Sequence, residues 1–258
     1  MAFTKTLVVA MTAAMSLPVA AATYSFGAVT TSGLGNTQTF NGSASSPGES
    51  VVSVKVSAWA SSTSSVNSDI QQAYLESSGS NSLRVRYAGE TTSNPDHAMD
   101  NNGRFEALLF DFGAGNAIDL NTVKLSWWSG DSDLTILAYT GGVAGYDPSS
   151  LFASGPSTSF SSLTASGWSL IGEPANIGTS ETGVNGSDVA SRFWLIGAGG
   201  LTGSGLSGSS DYVKLASLTT TNRTPPPPPP PSVPEPASLA LIGTALAGMF
   251  AVRRRRKA

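Results

Sequence analysis

Between Arg104 and Gly142 the chain holds three apolar segments cut apart by short turn-forming stretches, and this pattern narrows the folds open to it. Arg104–Phe112 is apolar over most of both faces, the mark of a central strand. Gly113-Ala114-Gly115-Asn116 turns, Val123–Trp128 is the next strand, and Ser129-Gly130-Asp131-Ser132-Asp133 turns again. Leu134–Thr140 then completes an expected meander. Gly, Asn and Asp suit these joints because they tolerate positive φ or bond to their own backbone. Upstream, Val52, Val54, Val56 and Ala58 alternate with Ser53, Lys55, Ser57 and Trp59, which predicts a strand with one buried face. Leu83, Val85 and Tyr87 alternate with Arg84 and Arg86 in the same way. Tyr24–Val29, Gly167–Gly172, Arg192–Gly197 and Tyr212–Leu218 read as further strands. Short strands with such turns predict an all-β fold, an antiparallel β-sandwich of jelly-roll-like form.

Three stretches are less regular. Ser68–Glu76 fits one or two helical turns with Ser68 or Asp69 as N-cap, and fits a ragged strand equally well. Gly197–Ser210, almost all Gly, Ser, Leu and Thr, reads as a mobile loop, and Thr219–Arg223 as the chain leaving the domain.

The chain has no Cys, which excludes disulfides, thiolate metal sites and Cys nucleophiles. A disulfide-free domain must rely on its core, and residues 23–222 are enough to build one. From Thr23 to Ser232 there are 8 basic against 16 acidic residues, a balance of −8. That excess opposes nucleic-acid binding, which rests on neutralising phosphates, and docking on an anionic bilayer. It suits divalent cations and neutral or basic glycans.

Both ends look like addresses rather than parts of the fold. Lys5, the apolar run Leu7–Leu17, Pro18 and Ala20-Ala21-Ala22 make a signal peptide at 1–22, with secretion followed by signal-peptidase cleavage after Ala22. The ectodomain is then 23–222 and a stalk covers 223–232. Its seven prolines, Pro225–Pro231, form a polyproline II rod of roughly 3 Å per residue. The sorting segment is 233–258. Val233-Pro234-Glu235-Pro236 leads into the uncharged run Ala237–Val252, and Arg253, Arg254, Arg255, Arg256 and Lys257 follow. As a single apolar helix the run is roughly 24 Å long, a little under the membrane's hydrocarbon thickness. Snorkelling arginines make up the difference, and the basic cluster belongs on the cytoplasmic side.

This tail resembles the PEP-CTERM sorting signal of Gram-negative bacteria, through Val233-Pro234-Glu235-Pro236, the short transmembrane span and the basic end. The resemblance implies processing by an exosortase, a membrane transpeptidase-like cysteine enzyme. It also implies an inner-membrane intermediate on the way to the cell surface or extracellular matrix. The middle block is similar to the ectodomain of a recurring group of exosortase-dependent surface proteins. The matching residues are Asp100-Asn101-Asn102-Gly103 with Leu108–Phe112, and Leu125-Ser126-Trp127 and Gly130-Asp131-Ser132-Asp133 with Ala138-Tyr139-Thr140-Gly141. That group implies a surface role and supplies no catalytic residues.

The ectodomain offers few chemical constellations. His97 is the single histidine, so a Ser–His–Asp triad would need it, with Ser93 and Asp96 or Asp100, and no nucleophile elbow lies near. Glu106 and Asp111 have odd separation on one strand and face opposite sides, unlike a glycosidase pair. Two oxygen-rich loops are candidates for structural calcium: Asp96, Asp100, Asn101 and Asn102, and Asp131 with Asp133. Neither matches an EF-hand, and turn-forming Asp and Asn are the ordinary explanation of both. Adjacent Trp127 and Trp128 should face opposite sides, one in the core and the other either packed under a loop, the favoured reading, or exposed for stacking on a sugar ring. The expectation is a non-enzymatic, structural surface or matrix protein without a cofactor beyond structural calcium. Its alternatives are a carbohydrate-binding module, with extracellular polysaccharide as partner, and a secreted glycan hydrolase.

Overall fold

The computed structural model describes residues 21–47, 51–79, 81–91, 95, 97–141, 158–203 and 210–223, and every structural statement below concerns these. The sorting motif, the predicted span, the basic end, the prolines and residues 1–20 of the signal peptide lie outside them. Among the described residues no helix is long and apolar enough to cross a membrane.

The first half of the chain forms β1 (Ala21–Ser25), β2 (Thr37–Asn41), β3 (Ser43–Ala44), β4 (Ser53–Ser61), β5 (Ile70–Gln72), β6 (Tyr74–Ser77), β7 (Leu83–Arg86) and β8 (Met99–Asp100). The second forms β9 (Glu106–Asp111), β10 (Ile118–Gly130), β11 (Leu134–Tyr139), β12 (Trp168–Gly172), β13 (Thr182–Gly183), β14 (Ala190–Ser191), β15 (Phe193–Ala198) and β16 (Asp211–Asn222). A 3₁₀ helix at Phe160–Ser166 precedes β12. The strands make two antiparallel sheets. One runs β13-β10-β16-β1-β3, with β14 on β10, β7 and β8 on β16, and β6 on β7. The other runs β12-β11-β15-β9-β4-β2, with β5 on β4. Side chains from both, among them Tyr24, Leu120 and Leu215 of the first and Val54, Leu108 and Trp194 of the second, form one buried cluster.

Several expectations are corrected. The segment 104–142 is not a meander, because β10 pairs with β16 in the first sheet while β9 and β11 flank β15 in the second. The turns at 113–116 and 130–133 are therefore crossovers between sheets. Of the two readings open for Ser68–Glu76, the strand is the one found: β5 and β6 are separated by Ala73, and no helical turn forms there. Val54, Val56 and Ala58 point inward as predicted, but the other face of β4 is exposed only at its start. Trp59 joins Leu109, Phe160, Leu163, Leu195 and Leu201 in a second apolar cluster, so the second sheet is buried on both faces. Leu201 is fully buried and its N–H donates to Thr135 Oγ1 at 3.2 Å, so this part of 197–210 is packed rather than a free loop.

The domain also runs further at both ends. Thr219–Asn222 lie within β16 instead of leaving it: all four pair with β10, and Thr219–Thr221 pair with β1 on the other side. Arg223 N–H donates to Ala117 O at 2.7 Å, and its guanidinium donates to the buried Asp119 at 2.7 Å. At the other end, Ala21 and Ala22 pair with Thr221 and Thr220. The expected cleavage after Ala22 thus falls inside a paired strand and would leave Thr23–Ser25 of it.

Candidate functional site

Gly130 ends β10 in the left-handed region, φ 69°, and a Cβ there would come within 2.7 Å of Ser210 O. The chain can therefore fold back at Asp131, which bridges to Asp211 at the start of β16. Asp131, Asp133 and Asp211 each direct a carboxylate oxygen into one spot, all within 4.8 Å of one another. Two ligands of one calcium ion, each at about 2.4 Å, are at most about 4.8 Å apart, so the spacing fits. The surroundings hold the group in place. Asp211 Oδ1 accepts from Asp133 N–H at 2.7 Å, and Asp133 Oδ1 accepts from Asn176 N–H at 2.7 Å. Asn101 grips Asp211 from both sides, Nδ2 donating to Oδ2 at 2.7 Å and Oδ1 accepting from the backbone N–H at 2.8 Å. Gly199 packs on the same spot, where a Cβ would sit 2.7 Å from Asp211 Oδ2. Burial, and then the charges of Asp133 and Asp131, push the Asp211 carboxyl up to about 6, against the hydrogen bonds from Asp133 and Asn101.

The two oxygen-rich loops of the sequence therefore meet in part. Asn101 joins Asp131 and Asp133 through Asp211, a residue that sequence reading missed because it stands alone among Ser and Tyr. Asp100 turns away, and with Glu90 and Glu106 it forms a separate acidic group. Asn102 N–H donates to Asp100 Oδ1 at 2.9 Å, and Asp96 lies outside the described residues. Glu106 is fully buried and accepts N–H groups of Tyr87 and Asp100, both at 3.1 Å. Burial first, then the charges of Asp100 and Glu90, push it well above the usual carboxylate range. Its hydrogen bonds tie the ends of β7, β8 and β9 together, which is a structural task. Asp111, on the opposite face of β9, holds Arg192 in a two-pronged ion pair at 2.6 and 2.9 Å.

His97 makes its hydrogen bond to Glu76, Nε2 to Oε2 at 3.0 Å, while Ser93 lies outside the described residues. Glu76 also takes Arg86 Nε at 2.8 Å and faces Arg84 Nε at 3.3 Å. Trp59, Trp168 and Trp194 are buried. Neither member of the Trp127/Trp128 pair is core, contrary to expectation. Trp127 is half-buried under Lys214, whose Nζ stands 4.4 Å from the ring centroid, and Trp128 is 45% exposed. The alternation of β10 continues through the pair, with Trp127 on the more covered face and Trp128 on the exposed one, but beyond Leu125 that face is no longer fully buried.

No curated protein and no solved structure matches the chain. A family model described as the PEP-CTERM protein-sorting motif matches residues 232–256. These include Val233-Pro234-Glu235-Pro236, the apolar run and Arg253–Arg256. The ectodomain carries no such match, and the address is what the comparison establishes: the chain bears a PEP-CTERM sorting motif, the mark of an exported protein that an exosortase directs to the cell surface.

Proposed function

We propose that the protein is a non-enzymatic structural component of the cell surface or extracellular matrix. It passes through an inner-membrane intermediate, held by the apolar run Ala237–Val252, and an exosortase processes it at Val233-Pro234-Glu235-Pro236. The observation that carries this reading is the motif match at 232–256. Upstream of it stand seven consecutive prolines, a composition suited to spacing, and a two-sheet domain, which we read as a jelly-roll-like sandwich. The carboxylates in the domain support a structural role, since those of Asp133, Asp211 and Glu106 accept backbone N–H groups. Structural calcium at Asp131, Asp133 and Asp211 fits the same role.

The test is mass spectrometry of the mature protein from fractionated producing cells. Wild type should lack the segment after the Pro-Glu-Pro and appear at the surface or in the medium. Glu235→Ala should retain the tail and accumulate in the membrane fraction. An unchanged mass and location in that variant would remove the sorting reading. A second reading, a carbohydrate-binding module, is favoured by Trp128 alone, a large exposed aromatic on a strand surface. Binding of matrix polysaccharide that Trp128→Ala abolishes would support it.

A further inference from the structure

A cavity of about 430 Å³ opens between the β6–β7 hairpin and the segment 29–36, within the range of small-ligand sites. Its wall is fixed by Asn36, which acts as a strand mimic. Asn36 Nδ2 donates to Leu75 O and its Oδ1 accepts from Leu75 N–H, both at 2.9 Å, while Nδ2 also reaches Thr31. The rim at Thr31–Gly33 is open, since no atom lies within 4 Å of where a Gly33 Cβ would be. The cavity also presents Arg84, Arg86, Glu76 and His97.

Two guanidiniums there face one carboxylate. Each is turned to Glu76 through its Nε, at 2.8 Å for Arg86 and 3.3 Å for Arg84. A guanidinium carries five N–H donors, so its terminal nitrogens keep donor capacity. The plane of Arg86 is further fixed by stacking 4.0 Å over the Tyr74 ring. Burial holds His97 below its ordinary value, against its bond to Glu76, so at neutral pH the cavity keeps an excess of one positive charge. That excess stands out in a region with 8 basic and 16 acidic residues.

We propose that this cavity binds a small hydroxyl-bearing monocarboxylate, an acidic sugar of the uronic type. The carboxylate would take the two guanidiniums, whose fork geometry matches it. The hydroxyls of Thr31 and Ser32 line the rim, and the partly exposed Val29 offers apolar surface to the C–H face of a ring. A single excess charge suits a monoanion better than a phosphate dianion. The proposal is independent of how the tail is sorted.

Isothermal titration of the intact chain in mild detergent tests it, with D-galacturonate as ligand and D-galactose and inorganic phosphate as comparators. Galacturonate should bind saturably in the millimolar range, and galactose and phosphate about tenfold more weakly or not at all. Arg84→Gln and Arg86→Gln should each weaken galacturonate about tenfold or more. Ser32→Trp, an exposed rim change outside the ion cluster, should block the cavity and abolish binding with an unchanged circular dichroism spectrum. That variant keeps the test decisive if the arginine variants misfold. Absence of galacturonate binding, equal affinity for phosphate, or binding that survives Ser32→Trp would each overturn the proposal.

Discussion

Two clusters of charged side chains in this domain are built on opposite rules. Around Glu76, one carboxylate is met by Arg84, Arg86 and His97. Around Asp211, three carboxylates converge, and the groups holding Asp133 and Asp211 are backbone N–H groups and the Asn101 amide. The first cluster supplies the counter-charges for its one carboxylate from within the fold. In the second, three like charges lie close together, and a proton or an added cation relieves their repulsion. The difference appears in the titration behaviour. Burial raises Glu76, but hydrogen bonds from Arg86 and His97 and the charges of Arg86 and Arg84 outweigh it and hold the group below its ordinary value. For Asp211 the balance goes the other way, up to about 6.

The largest effect expected from breaking this contrast comes from Glu76→Ala. It leaves two half-buried guanidiniums facing each other without a counter-charge, and stranded charges of this kind are strongly destabilising. The side chains are 14–24% exposed, so solvent screens part of the cost. A loss of about 2–3 kcal/mol follows, or roughly 5–10 °C in Tm for a domain of this size. Thermal or urea unfolding of the intact chain measures it. Asp211→Asn should behave differently, because it removes one of three like charges and keeps an acceptor oxygen for Asp133 N–H. If the two variants lose similar stability in metal-free buffer at neutral pH, the contrast between the clusters is wrong.

Adding calcium sharpens the same comparison. A cation bound only by the folded state stabilises by about 2.7 kcal/mol at 100 times its Kd. Wild type should therefore melt several degrees higher in millimolar calcium than in excess chelator. Asp211→Asn should lose most of that rise, and Glu76→Ala should keep it. A Tm that ignores chelator would remove structural calcium from the account.

The two clusters differ too in how far the sequence announces them. Local chemistry was legible: alternation at Val54–Ala58, the doubly apolar Leu108–Phe112, and turn residues at 113–116 and 130–133. What a turn residue cannot encode is which sheet the chain enters next. The 104–142 segment therefore read as a meander although β10 crosses to the other sheet. Asp131 and Asp133 were visible as a pair because they are near neighbours in the chain. Asp211 lies 78 residues beyond Asp133 in the hydrogen bond that joins them, and only the topology brings it there. Likewise the Arg84/Arg86 alternation marked a strand, while the cavity those residues line needs the distant segment at 29–36. The outward face of β4 was expected to be wet because period-two alternation reports one buried face. It cannot report that a 3₁₀ helix 100 residues later will cover the other.

A pH slope separates the clusters by sign. Asp211 binds its proton more tightly in the folded state, with a folded value of about 6 against an ordinary 3.8. Between these values the folded chain holds more protons, so the metal-free protein loses stability as pH rises from about 4 through about 6. Glu76 is shifted down, so its contribution is present above its ordinary value of 4.5 and is lost as pH falls through the lower folded one. Glu106, raised by burial and by Asp100 and Glu90, adds to the falling limb and would obscure Asp211 in wild type alone. The informative quantity is the Tm of wild type minus that of Asp211→Asn, measured with chelator from pH 4 to pH 8. It should fall as pH rises to about 6–7 and then level off, because only the Asp211 term differs between the two proteins. Calcium should flatten the fall by holding Asp211 ionised. Parallel curves without metal would mean that Asp211 titrates like an ordinary surface carboxylate, and the three aspartates would then be a turn rather than a centre.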